Sequence, residues 1–343
     1  MQRPGPLQAG PSVGDRVPPA QHGPGERVLD TVPVHCAEVA MRCFARCAAV
    51  SLVVVGSVLA GEAAEQPAYE LVEVSETVVM AFNTNGSNIA CVALDEGLLF
   101  VDASLSTRVA ERFRRDMEAR FSRPSLALLL THAHLDHILG MGAFSDLSVY
   151  AAEAGRPRWE QVLAIEWDEQ KIAGLAAVFP TFPDELPSAK LRMPTEWFKD
   201  GLELGGGRVV VRRTGGHTVD SSSVVLAGER AVIAGDLVQA RRRPYFGEPD
   251  TDMQVWIETL KAWQRMAPIE VCPGHGPVID GDELAVMGSW FEAVSQAVAE
   301  LKAGGATLDE VIASDALPAG YWPAEPTMPG WWPYCVKRLY EAT

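Results

Sequence analysis

Four side chains able to hold a metal ion stand within six residues: His132, His134, Asp136 and His137, in the run Thr131-His132-Ala133-His134-Leu135-Asp136-His137. Imidazole nitrogen and carboxylate oxygen are ligands that zinc and iron accept in open catalytic sites. On an extended chain His132 and His134 point the same way, because side chains alternate. A turn at Leu135 can then carry Asp136 and His137 toward a second position, so one loop can feed two neighbouring metals. Three further residues complete the set: His217 in Thr214-Gly215-Gly216-His217-Thr218, Asp236 in Ala234-Gly235-Asp236 and His275 in Pro273-Gly274-His275-Gly276. A glycine precedes each, which lets the backbone approach a site closely. The chain has seven histidines. His22 and His35 lie in the N-terminal lead, and the other five all fall in these motifs, so none is left for an ordinary structural role.

The elements that must present these groups are legible around them. Tyr69–Val74, Thr77–Phe82, Asn88–Leu94 and Leu98–Val101 are short β-rich runs divided by turn residues. Ser106–Phe121 changes to helical spacing, with Val109, Phe113 and Met117 repeating between charges and Ser106 as N-cap. Leu126–Leu130 is a continuous apolar run, which suits a strand buried on both faces and delivers the chain to Thr131. A strand is expected at Ser148–Ala151, one helix over Glu153–Ala177 and an irregular Pro-rich stretch at Phe179–Pro194. Strands resume at Arg208–Arg213, Ser223–Leu226 and Ala231–Ala234, which puts Asp236 just past a strand end. A helix at Asp252–Met266 leads to a strand at Ile269–Cys272, and helices Asp282–Lys302 and Leu308–Ile312 close the regular part. Strand-rich halves separated and followed by helices suggest two sheets packed face to face with helices outside.

The chain has 343 residues, of which 48% are hydrophobic, enough for a sizeable core. A net charge of −16 argues against a phosphate backbone as a general partner, so no nucleic acid is expected. Residues 1–30 are rich in Pro and Gly without apolar period and read as disordered. Met41-Arg42-Cys43-Phe44-Ala45-Arg46, the apolar run Cys47–Ala60 and the small residues after it have the shape of a secretory signal peptide. The run is short for a membrane span, so no stable membrane anchor is expected. The organisation expected is therefore a disordered and untranslated 1–40, with Met41 the start; a signal peptide over 41–64; and one folded domain over 65–343, periplasmic or secreted. Beyond the lead only Cys91, Cys272 and Cys335 remain, with no CxxC pair, so a thiolate zinc cluster is excluded. Cys272, three residues before His275, reads as a small core residue.

The H-x-H-x-D-H loop, the G-G-H-T loop, the A-G-D stretch and the P-G-H-G loop, in that order, resemble the metallo-β-lactamase superfamily over about residues 70–280. Asn88 before an apolar strand and Asp102 after Leu99-Phe100-Val101 resemble the family's early N…D pattern. The resemblance implies an α+β fold, a four-layer αββα sandwich with metals at one edge of the sheets. By matching positions it implies a first metal on His132, His134 and His217, a second on Asp136, His137 and His275, and Asp236 bridging both. The implied cofactor is two Zn2+, or Fe in the family's other chemistry. The implied reaction is hydrolysis of an ester, thioester, lactone or lactam bond of a small molecule by a metal-activated hydroxide, with Asp136 orienting the water. An aspartate at 236 resembles glyoxalase II and lactonases, although only about 70 residues follow His275 in place of the longer helical domain of glyoxalase II. The other readings are a mononuclear iron persulfide dioxygenase of the same fold, a β-lactamase proper and a non-catalytic metal-binding homologue.

Substrate contacts are faintly legible. Arg241-Arg242-Arg243-Pro244-Tyr245-Phe246 follows Asp236 closely; Arg241 could pair with an anionic group and Tyr245 could donate to an oxyanion. Trp322, Trp331 and Trp332 suit a pocket wall, or more simply core or lid packing.

Overall fold

The computed structural model describes residues 69–82, 84–266, 269–321 and 330–343. The expectations placed on 1–40 and 41–64, and on Trp322, lie outside the described residues. No described helix is long and apolar enough to cross a membrane.

Strands β1 (Glu70–Ser75), β2 (Val78–Phe82), β3 (Ile89–Leu94) and β4 (Gly97–Val101) form an antiparallel meander. Helix α1 (Thr107–Phe121) follows, and Ser106 caps it by accepting from the Val109 amide at 3.3 Å. Strand β5 (Ser125–Leu129) pairs parallel to β4 and ends at the ligand loop, which turns through the one-turn helix α2 (Leu135–Ile138). Strand β6 (Ser148–Ala152) is parallel to β5. Helices α3 (Arg156–Leu163), α4 (Glu169–Ala176) and α5 (Phe182–Glu185) lead to β7 (Glu196–Phe198), which closes a seven-stranded sheet in the order β1 to β7.

The second sheet has six strands: β8 (Gly201–Leu204), β9 (Val209–Arg213), β10 (Ser222–Leu226), β11 (Ala231–Gln239), β12 (Glu270–His275) and β13 (Ile279–Asp280), in the spatial order β13-β12-β11-β10-β9-β8. Helix α6 (Met253–Gln264) connects β11 to β12 and makes their parallel pairing possible. Helices α7 (Gly281–Ala303), α8 (Leu308–Ile312) and α9 (Trp332–Ala342) finish the chain.

Three apolar clusters give the layer order. Met80, Val92, Leu99 and Leu129 of the first sheet meet Val211, Val224, Ile233 and Cys272 of the second. Val109, Phe113 and Met117 of α1, with Trp159 of α3, cover the outer face of the first sheet. Trp256 and Leu260 of α6, Phe291 of α7 and Leu339 of α9 cover the outer face of the second. The result is the expected α+β sandwich of layers α, β, β, α. Cys91, Cys272 and Cys335 are buried free thiols.

Four local expectations are corrected. The single helix over 153–177 is broken into α3 and α4, because the chain leaves the helix at Ala164 and restarts at Asp168, whose side chain accepts from the Lys171 amide at 2.8 Å. The irregular stretch at 179–194 contains the short helix α5. The strand before Asp236 does not stop at Ala234: β11 runs on to Gln239 with a register irregularity at Gly235, so Asp236 lies within the strand. The tryptophan-rich tail ends in helix α9, since Pro333 sits in the first turn, where a missing N–H costs nothing.

Candidate metal centre

The seven expected ligands converge. The ligand atoms of His132, His134, His217 and Asp236 all lie within 4.8 Å of one another, and so do those of Asp136, His137 and His275. Asp236 also faces the second group, its Oδ1 being 3.0 Å from His137 Nε2 and 3.3 Å from His275 Nε2. Its Oδ2 stands 3.6 Å from His217 Nε2. A carboxylate between two sets of imidazoles is the arrangement that a bridging ligand needs.

The outer nitrogens decide which inner nitrogens are free. Asp102 Oδ2 accepts from His137 Nδ1 at 2.8 Å and from the Thr131 hydroxyl at 2.9 Å. That hydroxyl lies 3.1 Å from His132 Nδ1. One buried carboxylate therefore orients a histidine of each group, directly for His137 and through Thr131 for His132. His217 Nδ1 donates to the Tyr245 carbonyl at 3.0 Å. His134 Nε2 lies 3.3 Å from Glu248 Oε1. With these nitrogens protonated, His132 Nε2, His217 Nε2, His137 Nε2 and His134 Nδ1 carry lone pairs, and an outer partner of this kind is what fixes the tautomer of a metal-binding histidine.

These residues fit divalent metal ions. His132 Nε2 is buried without a hydrogen-bond partner, a costly condition for a polar atom. His134 Nδ1 and His217 Nε2 face each other at 3.2 Å. A cation held among these lone pairs removes both penalties.

Electrostatics divide the two groups. Burial pulls the imidazoles of His132 and His217 down, that of His217 to about 4, so both are neutral ligands at neutral pH. Burial acts the same way on His137, but the carboxylates of Asp236, Asp102 and Asp136 outweigh it and hold this ring well above the usual range. His275 is raised as well, burial being overcome by Asp236 and Asp136 while Arg242 opposes them. Burial of Asp136 is outweighed by His137 and His275, which bring it to about 2, and Asp236 is held well below the usual carboxylate range.

Close backbone approach explains two of the expected glycines. A Cβ on Gly274 would stand 2.1 Å from Asp236 Oδ1. Gly235 has φ +52°, and a Cβ there would meet Thr131 Oγ1 at 2.6 Å. Asn88 Nδ2 donates to the carbonyls of Pro273 at 2.9 Å and Gly276 at 2.8 Å, pinning the loop that carries His275.

The substrate-contact expectations fare differently. Arg241 Nε is paired with Glu283 Oε2 on α7 at 3.2 Å, away from the metal ligands. Its neighbour Arg242 is the arginine whose charge acts on His275. Tyr245 serves the site through its carbonyl, and its ring packs 4.9 Å from Trp331. Trp332, partly buried, packs on Phe246 and Trp290 at the edge of the second sheet's outer core, while Trp331, also partly buried, stacks on Tyr245.

Reading along the chain missed a network built on Glu248. Besides facing His134, Glu248 takes an ion pair from Arg158 of α3 at 2.9 Å, and Arg158 reaches Asp250 at 2.7 Å. Asp250 accepts from the Val219 amide at 3.0 Å, two residues past His217. No motif marks Glu248; the one local signal is a carboxylate on the loop that follows Asp236.

A twin-cluster centre of histidines and aspartates at one edge of an αββα sandwich defines a metal-binding protein of the metallo-hydrolase type. Residues 85–275 match the family described as the metallo-beta-lactamase superfamily, and the chain belongs to it. A protein named "Probable metallo-hydrolase" from Streptococcus pyogenes serotype M6 is 23% identical over 201 residues, 56% of this chain and 80% of that protein. A linear primary-alkylsulfatase from Pseudomonas sp. is 22% identical over 285 residues, 72% of this chain and 53% of that protein. In structure, the sec-alkylsulfatase Pisa1 from Pseudomonas sp. has a TM-score of 0.58 at 15% identity, covering 80% of this chain and 50% of that one. The DIM-1 metallo-beta-lactamase has a TM-score of 0.51 at 20% identity, covering 65% of this chain and 97% of its own. The chain thus spans about half the length of the two sulfatases. At the coarse level these relatives support a metal-dependent hydrolase.

Proposed function

We propose that this protein is a hydrolase that holds two zinc ions and cleaves an ester, thioester, lactone, lactam or sulfate ester bond of a small molecule. The observation that carries the reading is the convergence of seven ligand groups in two adjoining clusters, with His132 Nε2 buried and unpartnered among them. His132, His134 and His217 hold the first ion, Asp136, His137 and His275 the second, and Asp236 faces both. When bound, such ions supply an activated water and polarise the oxygen of the bond to be cleaved.

The protein's own groups do the rest. Asp102, directly at His137 and through Thr131 at His132, orients the rings so that their Nε2 atoms face the metal positions. Asp136, held ionised by His137 and His275, is the group placed to orient water and take its proton. Arg242, whose charge acts on His275, is assigned here to an anionic part of the substrate. The sulfate esters enter because two of the similar proteins are named alkylsulfatases. The proposed workplace is the periplasm or the exterior, on the strength of the secretory pattern at 41–64, and N-terminal sequencing of exported protein tests it.

The test is metal content after purification without chelator, followed by a hydrolysis screen over those bond classes. About two zinc per chain with turnover removed by chelation is the expected result. A single iron per chain with oxygen uptake on persulfides would replace this reading with the dioxygenase.

A further inference from the structure

Two carboxylates stand close together on the chain that follows β11, Glu248 and Asp250, and both serve the first metal group. Glu248 Oε1 faces His134 Nε2 at 3.3 Å. Asp250 Oδ2 accepts from the Val219 amide at 3.0 Å, on the loop that carries His217. The same segment grips that loop twice more: the Thr251 hydroxyl donates to the His217 carbonyl and the Asp252 amide to the Gly216 carbonyl, both at 2.8 Å. Residues 248–252 are thus a strap that holds His134 and His217 together.

One side chain fastens the strap. Arg158 of α3 donates from Nη1 to Glu248 Oε2 at 2.9 Å and from Nη2 to Asp250 Oδ1 at 2.7 Å. Each carboxylate therefore turns one oxygen to the guanidinium and the other toward a ligand. Glu248 Oε1 is the nearer group at His134 Nε2, with Arg158 Nη1 standing 3.5 Å away. Without a cation between them, two carboxylates this close repel each other. A guanidinium suits both at once because its donors form a rigid fork, whereas an ammonium is a point charge.

Helix α3 is itself seated on the metal loop. Gly155, at its N-terminus, packs so closely on Asp220 that a Cβ would stand 2.4 Å from Oδ2. That oxygen accepts from the amide of Ala133, the residue between His132 and His134, at 3.1 Å. The second metal group is supported from elsewhere. The carbonyls of Asp136, His137 and His275 accept from the amides of Ser87, Ala103 and Ala240. Among the described residues, no hydrogen bond or ion pair joins α3 or residues 248–252 to those three ligands.

We propose that Arg158 is a positioning residue for the first metal ion alone. Its fork holds Glu248 against His134, so that the ring carries its proton on Nε2 and offers Nδ1 to the ion, and holds Asp250 against the His217 loop. Occupancy of the first position then depends on the insertion, and occupancy of the second does not. The proposal rests on the two-ion reading for what fills the positions, but the state of the His134 ring is measurable without metal.

The experiment is a zinc titration of the chelator-treated full chain against a chromophoric chelator, for the unaltered protein, Arg158→Met and Arg158→Lys. Nitrogen-15 NMR of the histidine rings accompanies it, with the His134 and His275 signals reporting which ion is bound. Arg158→Met is expected to weaken the ion at His134 about 10- to 100-fold and to leave the ion at His275 unchanged. In the metal-free variant the His134 ring is expected to lose its preference for a proton on Nε2. Arg158→Lys keeps the charge but reaches one carboxylate at a time, so a smaller loss at the same ion is expected, and it decides the matter if Arg158→Met does not fold. Both ions weakened alike, or both affinities and the His134 tautomer unchanged, overturns the proposal. An unaltered protein that takes up a single ion would defeat the two-ion reading and leave the clamp to be judged by the His134 tautomer, whose persistence in both variants would sink it.

Discussion

The ligand-bearing strand ends and the helical insertion of α3 and α4 are built to different standards. All nine residues of β11 are buried, and His137 and His217 are fully enclosed. Asn88, Asp102 and Thr131 tie the ligand loops to one another across the two sheets. In the insertion, Leu163 is exposed and α4 buries nothing; α3 is anchored by Trp159 and by Arg158, and α4 leans on the small cluster around Leu105, Leu139 and Phe182. Groups that must sit within a few tenths of an ångström of one another are carried by the close-packed part, where movement is expensive. The insertion, with few buried side chains, is the part that can move cheaply.

The comparison can be broken first at Asp236. Asp236→Ala removes a member common to both ligand groups. Activity and metal content are expected to fall by more than the roughly 10- to 100-fold that follows loss of a residue that only orients a ligand. Elemental analysis with steady-state kinetics checks it, and retained two-metal occupancy would show that the bridge is dispensable.

Next in size is Asp102→Ala. It strips one partner from His137 and the chain to His132 at once. Metal affinity is expected to drop about 10- to 100-fold. A chelator competition titration should show both ions weakened together, whereas loss at one ion alone would contradict the coupling through Thr131.

Glu248→Gln probes the link between the candidate ligand His134 and the insertion. Burial raises the Glu248 carboxyl, but His134 and Arg158 outweigh it and bring it from 4.5 to about 2. A carboxylate with a depressed pKa contributes stability that is present above about pH 5 and is lost as the pH falls through about 2. Urea midpoints of the metal-free protein should therefore decline across that acid window, and Glu248→Gln should flatten part of the decline. An unchanged slope would show that the Arg158–Glu248–His134 link is not formed in solution.

The smallest effect is Gly174→Ala. Gly174 lies inside α4, and nothing stands within 4 Å of where its Cβ would be. The substitution is expected to stabilise the protein by about 0.4–1 kcal/mol, measured by denaturant titration. A loss would mean that the insertion is packed more tightly than its burial indicates.

Much of this protein was legible in its residues alone. The H-x-H-x-D-H loop, three further ligands each set after a glycine, and the strand and helix periods around them are local properties, and local chemistry carries them. The sandwich follows because apolar runs such as 126–130 have to be covered on both faces. What the linear chain cannot display is which distant groups meet. Glu248 reaching His134, Arg241 held by Glu283 while its neighbour Arg242 acts on His275, and Asp102 serving both ligand groups depend on loops brought together across two sheets. The same holds for the break between α3 and α4 and for the helix beginning at Trp332, where local propensity was ambiguous. Residue type and spacing determined the ligands, because metal chemistry restricts them to a few side chains; tertiary packing decided their partners, because hydrogen bonds and ion pairs form between whichever groups the fold brings within reach.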